Sequence, residues 1–143
     1  MPSAERVHEL MSKNPITLPS SATVLDAARE MRSENVGAIV VEDKDQRAYG
    51  IVTDRDIIIR AVADGRDAAR TLLSDICSTE LTTLSPDDTV AHAVQAMRQR
   101  AIRRLLVVDA DNRAVGVISL GDLAVDRDAW SVLGKISAAP PSQ

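Results

Sequence analysis

The 143-residue chain contains one segment written twice. When the sequence is shifted by 66 residues, residues 7–60 align with residues 73–126 without a gap, and 15 of the 54 aligned positions are identical. A period of this length exceeds that of solenoid repeats, roughly 20 to 50 residues. The duplication therefore predicts two related units about an approximate twofold axis: a first motif at 5–65, a linker at 66–72, a second motif at 73–128 and a tail at 129–143.

Each copy predicts the same order of elements, β-α-β-β-α, and hence an α+β fold close to the α/β class. Apolar residues at i, i+3, i+4 and i+7 predict one amphipathic helix per copy: Val24, Ala27, Ala28 and Met31, then Val90, Ala93, Val94 and Met97. Thr23 and Thr89 are suited to cap these helices, and Asp26 completes a capping box with Thr23. The predicted central strands are Ala38–Val41, Gly50–Thr53, Leu105–Val108 and Gly116–Ser119.

Shorter elements flank this core of each copy. An amphipathic turn at Val7–Met11 precedes an extended stretch at residues 16–18, and residues 73–77 and 82–84 repeat both features. A second helix is predicted over residues 54–63, with Gly65 at its end, and a shorter one near Asp122.

Composition limits the classes of partner. A hydrophobic content of 45% is enough for a core, but aromatic residues make up only 1% and the net charge is −4. Nucleic-acid binders usually present a basic face or aromatic side chains that stack on bases, so we do not expect this chain to bind nucleic acid. The lone Cys77 cannot form an intramolecular disulfide, and no signal peptide or membrane span is evident. We therefore expect a soluble, cytoplasmic protein that does not bind membranes.

A second shared pattern combines glycine, two apolar residues, a hydroxyl residue, two variable residues and aspartate. It reads Gly50 to Asp56 in the first copy and Gly116 to Asp122 in the second. A buried strand that runs into a helix start offers free N–H groups to an anion, Thr53 or Ser119 offers a hydroxyl, and the aspartate suits a ribose diol. The alternative is structural, because the same residues can cap a helix and complement its dipole. Because the same Thr/Ser-to-Asp spacing occurs in both copies, we favour the ligand-binding interpretation over the structural one.

Other chemistry finds no support in the sequence. His8, His92 and Cys77 lack the spacing of a metal site, and we expect His92 on the surface and Cys77 packed. No catalytic triad or Gly-rich phosphate loop is present, so no catalytic residue is assigned and the chain is expected not to be an enzyme.

These features together resemble a CBS-domain pair, also called a Bateman module, over residues 5–128. The resemblance implies that the copies pack sheet to sheet and form two clefts for AMP, ADP, ATP, NAD or S-adenosylmethionine. It implies that Thr53 with Asp56, and Ser119 with Asp122, face ribose and phosphate. The backbone around Thr17 and Thr83 would hold the adenine edge.

A basic pair before the first long strand is a further feature of the family. The second copy has Arg103 and Arg104 there, whereas the first has Gly37 and Ala38, so the two clefts are expected to differ. Arginine donors suit phosphate oxygens, although the pair is also compatible with two solvated side chains. Arg55 is a further candidate for a phosphate, or for a surface ion pair.

The sequence thus favours a small stand-alone regulatory protein that binds an adenosine-containing ligand such as AMP or ATP, requires no cofactor and signals by a change in shape or partner. An unknown effector protein is a possible partner. A homodimer is expected through helix faces and the Trp130 segment, because two isolated units would expose apolar helix faces. The alternative is an interaction scaffold with vestigial clefts, since fold alone does not decide function.

Overall fold

The computed structural model describes residues 6–124, which form two compact units. The first-copy unit comprises residues 15–81 together with Asp111–Arg113. The second-copy unit comprises the described residues up to Asn14, Thr82–Ala110 and those from Ala114 onwards. Both units mix helices with a sheet, as the α+β prediction requires. Trp130 and the predicted tail lie outside the described residues.

The first-copy unit has a three-stranded sheet in the order β2-β3-β4. Strand β2 (Thr17–Pro19) runs parallel to β3 (Ala38–Glu42), which pairs antiparallel with β4 (Ala48–Thr53). Helix α1 (Val24–Glu34) connects the parallel pair. A parallel pair needs such a crossover, whereas the polar residues 43–47 suffice for the antiparallel hairpin.

The second-copy unit repeats this arrangement and gains one strand. Its sheet has the order β1-β7-β6-β5, with β5 parallel to β6 and the other pairs antiparallel. The elements are β1 (Ser12–Lys13), β5 (Thr83–Leu84), α4 (Val90–Arg100), β6 (Arg104–Val108), β7 (Ala114–Ser119) and α5 (Leu120–Ala124). The predicted element order is therefore present in both copies.

The two long helices begin where the sequence predicts. The Thr23 hydroxyl accepts a hydrogen bond from the Asp26 amide, and the Asp26 carboxylate accepts one from the Thr23 amide. The Thr89 hydroxyl accepts a bond from the amide of His92. Both N-caps and the capping box are confirmed. Each helix ends on a left-handed residue, which is Asn35 in the first copy.

The helix after the Thr/Ser-x-x-Asp motif of the first copy differs from the prediction. One α-helical turn, α2 (Asp54–Asp56), continues as a π-helical stretch at Ile57–Val62. Gly65 follows at φ +69, as expected for a helix stop. Periodicity does not distinguish π from α over six residues, and π-helical segments often occur at functional sites.

Each unit has its own apolar core, formed by one face of its sheet and its helices. The first-copy core consists of Val24, Ala27, Ile39, Val41, Val52, Ala61, Leu73, Ile76 and Cys77. The second-copy core consists of Val7, Leu84, Val90, Ala93, Val94, Met97, Leu105, Val107, Ile118 and Leu123. His92 is exposed and Cys77 is buried, as the sequence predicts.

The two copies exchange their N-terminal segments. The amides of Val7 and His8 donate to the carbonyls of Asp88 and Pro86 in the second-copy unit, at 2.9 and 3.0 Å. The equivalent bonds, shifted by 66 residues, join Leu73 to Ala22 and Ser74 to Ser20 in the first-copy unit. Each compact unit is therefore built from one repeat and the leading segment of the other.

The shared glycine of the motif is explained by this exchange. A Cβ atom at Gly50 would lie 2.7 Å from the Ser78 carbonyl oxygen and 2.9 Å from the Cys77 sulfur. A Cβ atom at Gly116 would lie 2.5 Å from the Met11 sulfur. Because the leading segment crosses so close to the strand, neither position has room for a side chain.

Candidate ligand-binding site

The sheet register brings several of the predicted site residues of each copy to one end of that copy's sheet. Ala38, at the start of β3, lies opposite Thr53 at the end of β4, and Arg104 lies opposite Ser119 in the same way. The parallel strands β2 and β5 begin further along, because Thr17 pairs with Val40 and Thr83 with Leu106, in the middle of β3 and β6. Each unit therefore places a hydroxyl residue beside a strand start and a helix start, and places Thr17 or Thr83 nearer the middle of the sheet.

The Thr/Ser and Asp of the motif are directly bonded to each other. The Asp56 carboxylate accepts a hydrogen bond from the Thr53 amide at 2.9 Å, and the Asp56 amide donates to the Thr53 hydroxyl at 3.1 Å. Ser119 and Asp122 form the same pair of bonds at 2.8 and 3.1 Å. The structural alternative is thus realised, because both motifs cap the helix that follows. The bond from the Thr53 or Ser119 amide uses Oδ2 of the carboxylate, so Oδ1 takes no part in either capping box.

The residue before the first long strand anchors the same helix start. The Gly37 carbonyl accepts a bond from the Asp54 amide at 3.0 Å, and the Arg103 carbonyl accepts one from the Leu120 amide at 2.8 Å. A Cβ atom at Gly37 would lie 3.2 Å from Asp54 Oδ2, a tight contact. The backbone role is therefore shared by the two copies, while the side chains differ.

The arginine candidates lie on the surface around these ends. Arg103 and Arg104 are exposed, and Arg104 pairs in register with Ser119. Arg55 is exposed on the first turn after Thr53, and its amide donates to Asp54 Oδ1 at 2.8 Å. A cationic rim is thus present beside Ser119, whereas Gly37 and Ala38 supply no charge beside Thr53.

Arg60, which is not among the site residues predicted from the sequence, contacts the motif. Its Nε atom lies 3.9 Å from Asp56 Oδ1, and its Nη1 atom donates to the Ile76 carbonyl at 3.1 Å. The i, i+4 spacing from Asp56 was visible in the sequence and is typical of helical ion pairs. The bond to Ile76 depends on the tertiary structure and had no sequence signal.

Cys77 lies near this ion pair. Burial is the main cause that raises the pKa of the Cys77 thiol, with a further increase from the Asp56 carboxylate and an opposing effect of Arg60. A buried thiol with a raised pKa is poorly nucleophilic, so Cys77 has the character of a core residue. Within residues 6–124, no group of three or more His, Cys, Asp and Glu side chains is arranged to hold a metal ion.

A surface groove of about 480 Å³ in the first-copy unit contains none of the predicted site residues. Leu18, Pro19, Ser21, Ala22, Asp26, Arg29 and Glu30 line it. It lies at the C-terminal end of β2, whereas Thr17 starts that strand. Hydrogen bonds from the Thr23 amide and hydroxyl lower the pKa of the Asp26 carboxyl, so this groove has a carboxylate that belongs to a helix cap.

The family model for the CBS domain matches the chain twice, at residues 7–62 and 73–125. The chain belongs to the CBS domain family. The CBS domain-containing protein YhcV of Bacillus subtilis is 41% identical over 135 residues, which cover 92% of this chain and 94% of YhcV. The two matched segments follow the two repeats.

Solved CBS structures share the fold. The CBS domain protein PAE2072 from Pyrobaculum aerophilum, complexed with AMP, is 32% identical with a TM-score of 0.77, over 94% of this chain and 99% of that protein. The CBS domain pair of protein MJ0100, in complex with 5′-methylthioadenosine and S-adenosylmethionine, is 27% identical with a TM-score of 0.75, over 87% and 95% of the two chains. All three ligands contain an adenosyl group.

No helix in the described part of the chain, residues 6–124, is long and apolar enough to cross a bilayer. The cytoplasmic location expected from the sequence stays a prediction.

Proposed function

We propose that this CBS pair is a non-enzymatic regulatory protein that binds an adenosine-containing ligand at the sheet ends of its units. The observation that supports this proposal best is the hydroxyl–aspartate pair that each unit places beside the start of the neighbouring strand. A carboxylate held on one oxygen by the backbone has a second oxygen that can accept a hydrogen bond from a ligand. Ribose hydroxyls are suitable donors to such an oxygen, and strand-start backbone groups at Thr17 and Thr83 suit an adenine edge.

The ligands of the two solved relatives support the same chemical class. AMP in PAE2072, and methylthioadenosine with S-adenosylmethionine in MJ0100, share the adenosyl group and differ in what is attached to it. We therefore propose that the adenosyl group is the common determinant and that Arg55, Arg103 and Arg104 select for phosphate. No further cofactor is needed for such binding.

The π-helical stretch of the first copy supports a homodimer. Its side chains Ile58, Ile59 and Val62 are 60%, 45% and 64% exposed, and together they form an apolar strip on one helix. Grouped exposed apolar side chains on a small protein indicate an interaction surface. We propose that a second copy of the chain covers this strip, and that ligand binding signals through the dimer or an effector protein.

A ligand screen followed by calorimetry tests the proposed function. Thermal unfolding is measured with AMP, ADP, ATP, NAD and S-adenosylmethionine, each at millimolar concentration, with inorganic phosphate and ribose as controls. At least one adenosyl ligand is expected to raise Tm by mass action, and calorimetry then gives its Kd and stoichiometry. A chain that none of the five ligands stabilises, and that shows no binding heat, contradicts the proposal.

A scaffold without a ligand is the second candidate, and a specific observation favours it. Thr53 with Asp56, and Ser119 with Asp122, already have a structural task as capping boxes, which does not require a ligand. A scaffold predicts that the full chain binds no adenosyl ligand and still forms its dimer. A negative ligand screen together with a stable dimer would support it.

A further inference from the structure

Arg60 bridges two parts of the first-copy unit that are distant in sequence. On one side it forms the ion pair with Asp56, whose side chain is 18% exposed. On the other it donates to the carbonyl of Ile76, the last residue of α3 (Leu73–Ile76). The last carbonyls of a helix lack intrahelical donors, and a cationic side chain is a favourable partner for them. Arg60 therefore joins the candidate site to residues 73–78, the leading segment of the second repeat.

Residues 73–78 are held to the first copy by backbone hydrogen bonds and by the core packing of Leu73, Ile76 and Cys77. Ser78 and Ile51 exchange two backbone hydrogen bonds of 3.0 Å, so the segment is fixed to the strand that ends at Thr53. The Cys77 amide closes the turn by donating to Leu73 at 2.9 Å. The segment thus contacts both the motif strand and Arg60, and the Arg60 side chain is a direct polar link between it and the Asp56 carboxylate.

The second copy has a different residue at this position. Shifted by 66 residues, Arg60 corresponds to Asp126, and Ile76 corresponds to Leu10. A carboxylate cannot donate to a carbonyl oxygen. Asp126 lies outside the described residues, so this difference is a matter of sequence, but it removes the donor on which the link in the first copy depends.

We propose that Arg60 is a positioning residue that couples the Asp56 carboxylate to residues 73–78, and that the second copy lacks this coupling. It fixes the direction of Asp56 Oδ1 and provides a partner for the end of α3. A ligand that donates to Asp56 orders the carboxylate, and the ordered carboxylate restricts Arg60 through the ion pair. Arg60 therefore loses less conformational entropy on bonding to the Ile76 carbonyl when the ligand is bound than when it is absent. By linkage, ordering residues 73–78 raises the affinity for that ligand by the same factor as the ligand favours the ordered segment. This last step rests on the proposed function, whereas the link itself does not.

The link is tested without any ligand by amide hydrogen exchange of the full chain. Arg60→Gln is expected to speed exchange at Cys77 and Ser78 about two- to fivefold, the effect of losing one partly exposed charged donor. Arg70→Gln is the matched control, because Arg70 also forms an ion pair, with Asp67 at 3.7 Å, but is 88% exposed. The Met11 amide, which donates to Val7 at 3.0 Å as Cys77 does to Leu73, is the internal reference.

The ligand-free experiment has three distinct outcomes. Faster exchange confined to Cys77 and Ser78 in Arg60→Gln, with Met11 unchanged and Arg70→Gln like wild type, supports the link. Unchanged exchange at Cys77 and Ser78 overturns it. Equal acceleration at Met11 also overturns it, because it shows general destabilisation rather than loss of a local contact.

Adenosine is the probe for the coupling. Saturating adenosine is expected to slow exchange at Cys77 and Ser78 in wild type, and to slow it less in Arg60→Gln that calorimetry shows to be saturated. Equal slowing in both proteins overturns the coupling, and an unchanged Kd for adenosine in Arg60→Gln overturns the positioning role. If wild type binds no adenosine, the proposed function and the coupling fail together, while the ligand-free experiment still decides whether Arg60 holds the segment.

Discussion

Thr53 and Asp56 bond to each other twice, at 2.9 and 3.1 Å between backbone amide and side-chain oxygen in each direction. Thr23 and Asp26 form the same two bonds at the same distances. The two capping boxes have the same geometry, yet only the Thr53–Asp56 box follows β4, the strand that ends at the candidate site. The chain thus contains its own control for separating a helix cap from a ligand contact.

This pair of boxes gives the first prediction. Asp56→Asn and Asp26→Asn are both expected to lower the free energy of unfolding slightly, because each weakens a charged cap. Only Asp56→Asn is expected to weaken adenosine binding, about ten- to hundredfold, since a charged acceptor for ribose hydroxyls is lost. Calorimetry measures the affinities, and urea denaturation measures the free energies of unfolding.

Asp122→Asn is expected to act like Asp56→Asn at the second-copy site. Equal affinities of the Asp56 and Asp26 variants would show that Asp56 is a cap alone.

The second prediction concerns the arginines beside Ser119. Arg103→Ala combined with Arg104→Ala is expected to cost more affinity for AMP and ATP than for adenosine, because arginine donors suit phosphate oxygens, which adenosine lacks. Added salt is expected to reduce the difference, since both side chains are exposed. Titrations of wild type and double mutant with the three ligands measure it, and Arg98→Ala with Arg100→Ala on α4 is the charge-matched control. Equal losses of affinity for all three ligands would indicate that the two arginines stabilise the fold and do not contact phosphate.

The third prediction concerns the glycines under the exchanged segments. Gly50→Ala and Gly116→Ala are each expected to lower the free energy of unfolding by about 1–3 kcal/mol, because the new methyl group meets backbone oxygens of Ser78 and Ser12. Gly121→Ala is the control, since its Cβ would lie 3.6 Å from the Ser119 hydroxyl, an ordinary contact. Urea denaturation of the three variants checks this. Wild-type stability in Gly50→Ala would mean that the segment can move aside at no cost.

The fourth prediction concerns the apolar strip on the π-helical stretch. Light scattering is expected to give twice the chain mass of 15.4 kDa for wild type. Ile58→Asp with Val62→Asp is expected to give the monomer mass, because two carboxylates would be buried without partners. Leu72→Asp is the control, since Leu72 is an exposed apolar residue at an N-cap position where aspartate is favourable. A wild-type monomer at micromolar concentrations would contradict the dimer.

The sequence determined the local structure because its signals are local. The spacing of Val24, Ala27 and Met31 predicts the face of α1 that packs inward, and Thr23 predicts where that helix begins. The 66-residue shift predicts that the second copy repeats these choices, and it does. The hydroxyl–aspartate spacing predicted both possible tasks of the motif, and the structure shows that the capping task is realised in each copy.

Only the tertiary structure decided which segment completes which unit. The leading segment of each repeat docks on the other repeat, where Met11 lies against Gly116 and Cys77 lies against Gly50. Because the repeats are related in sequence, the leading segment has equivalent docking surfaces on both, and no local pattern distinguishes them. The same holds for the bond from Arg60 to Ile76, which depends on a contact across 16 residues. Sequence periodicity reports which face is buried, whereas long-range pairing depends on how the whole chain closes.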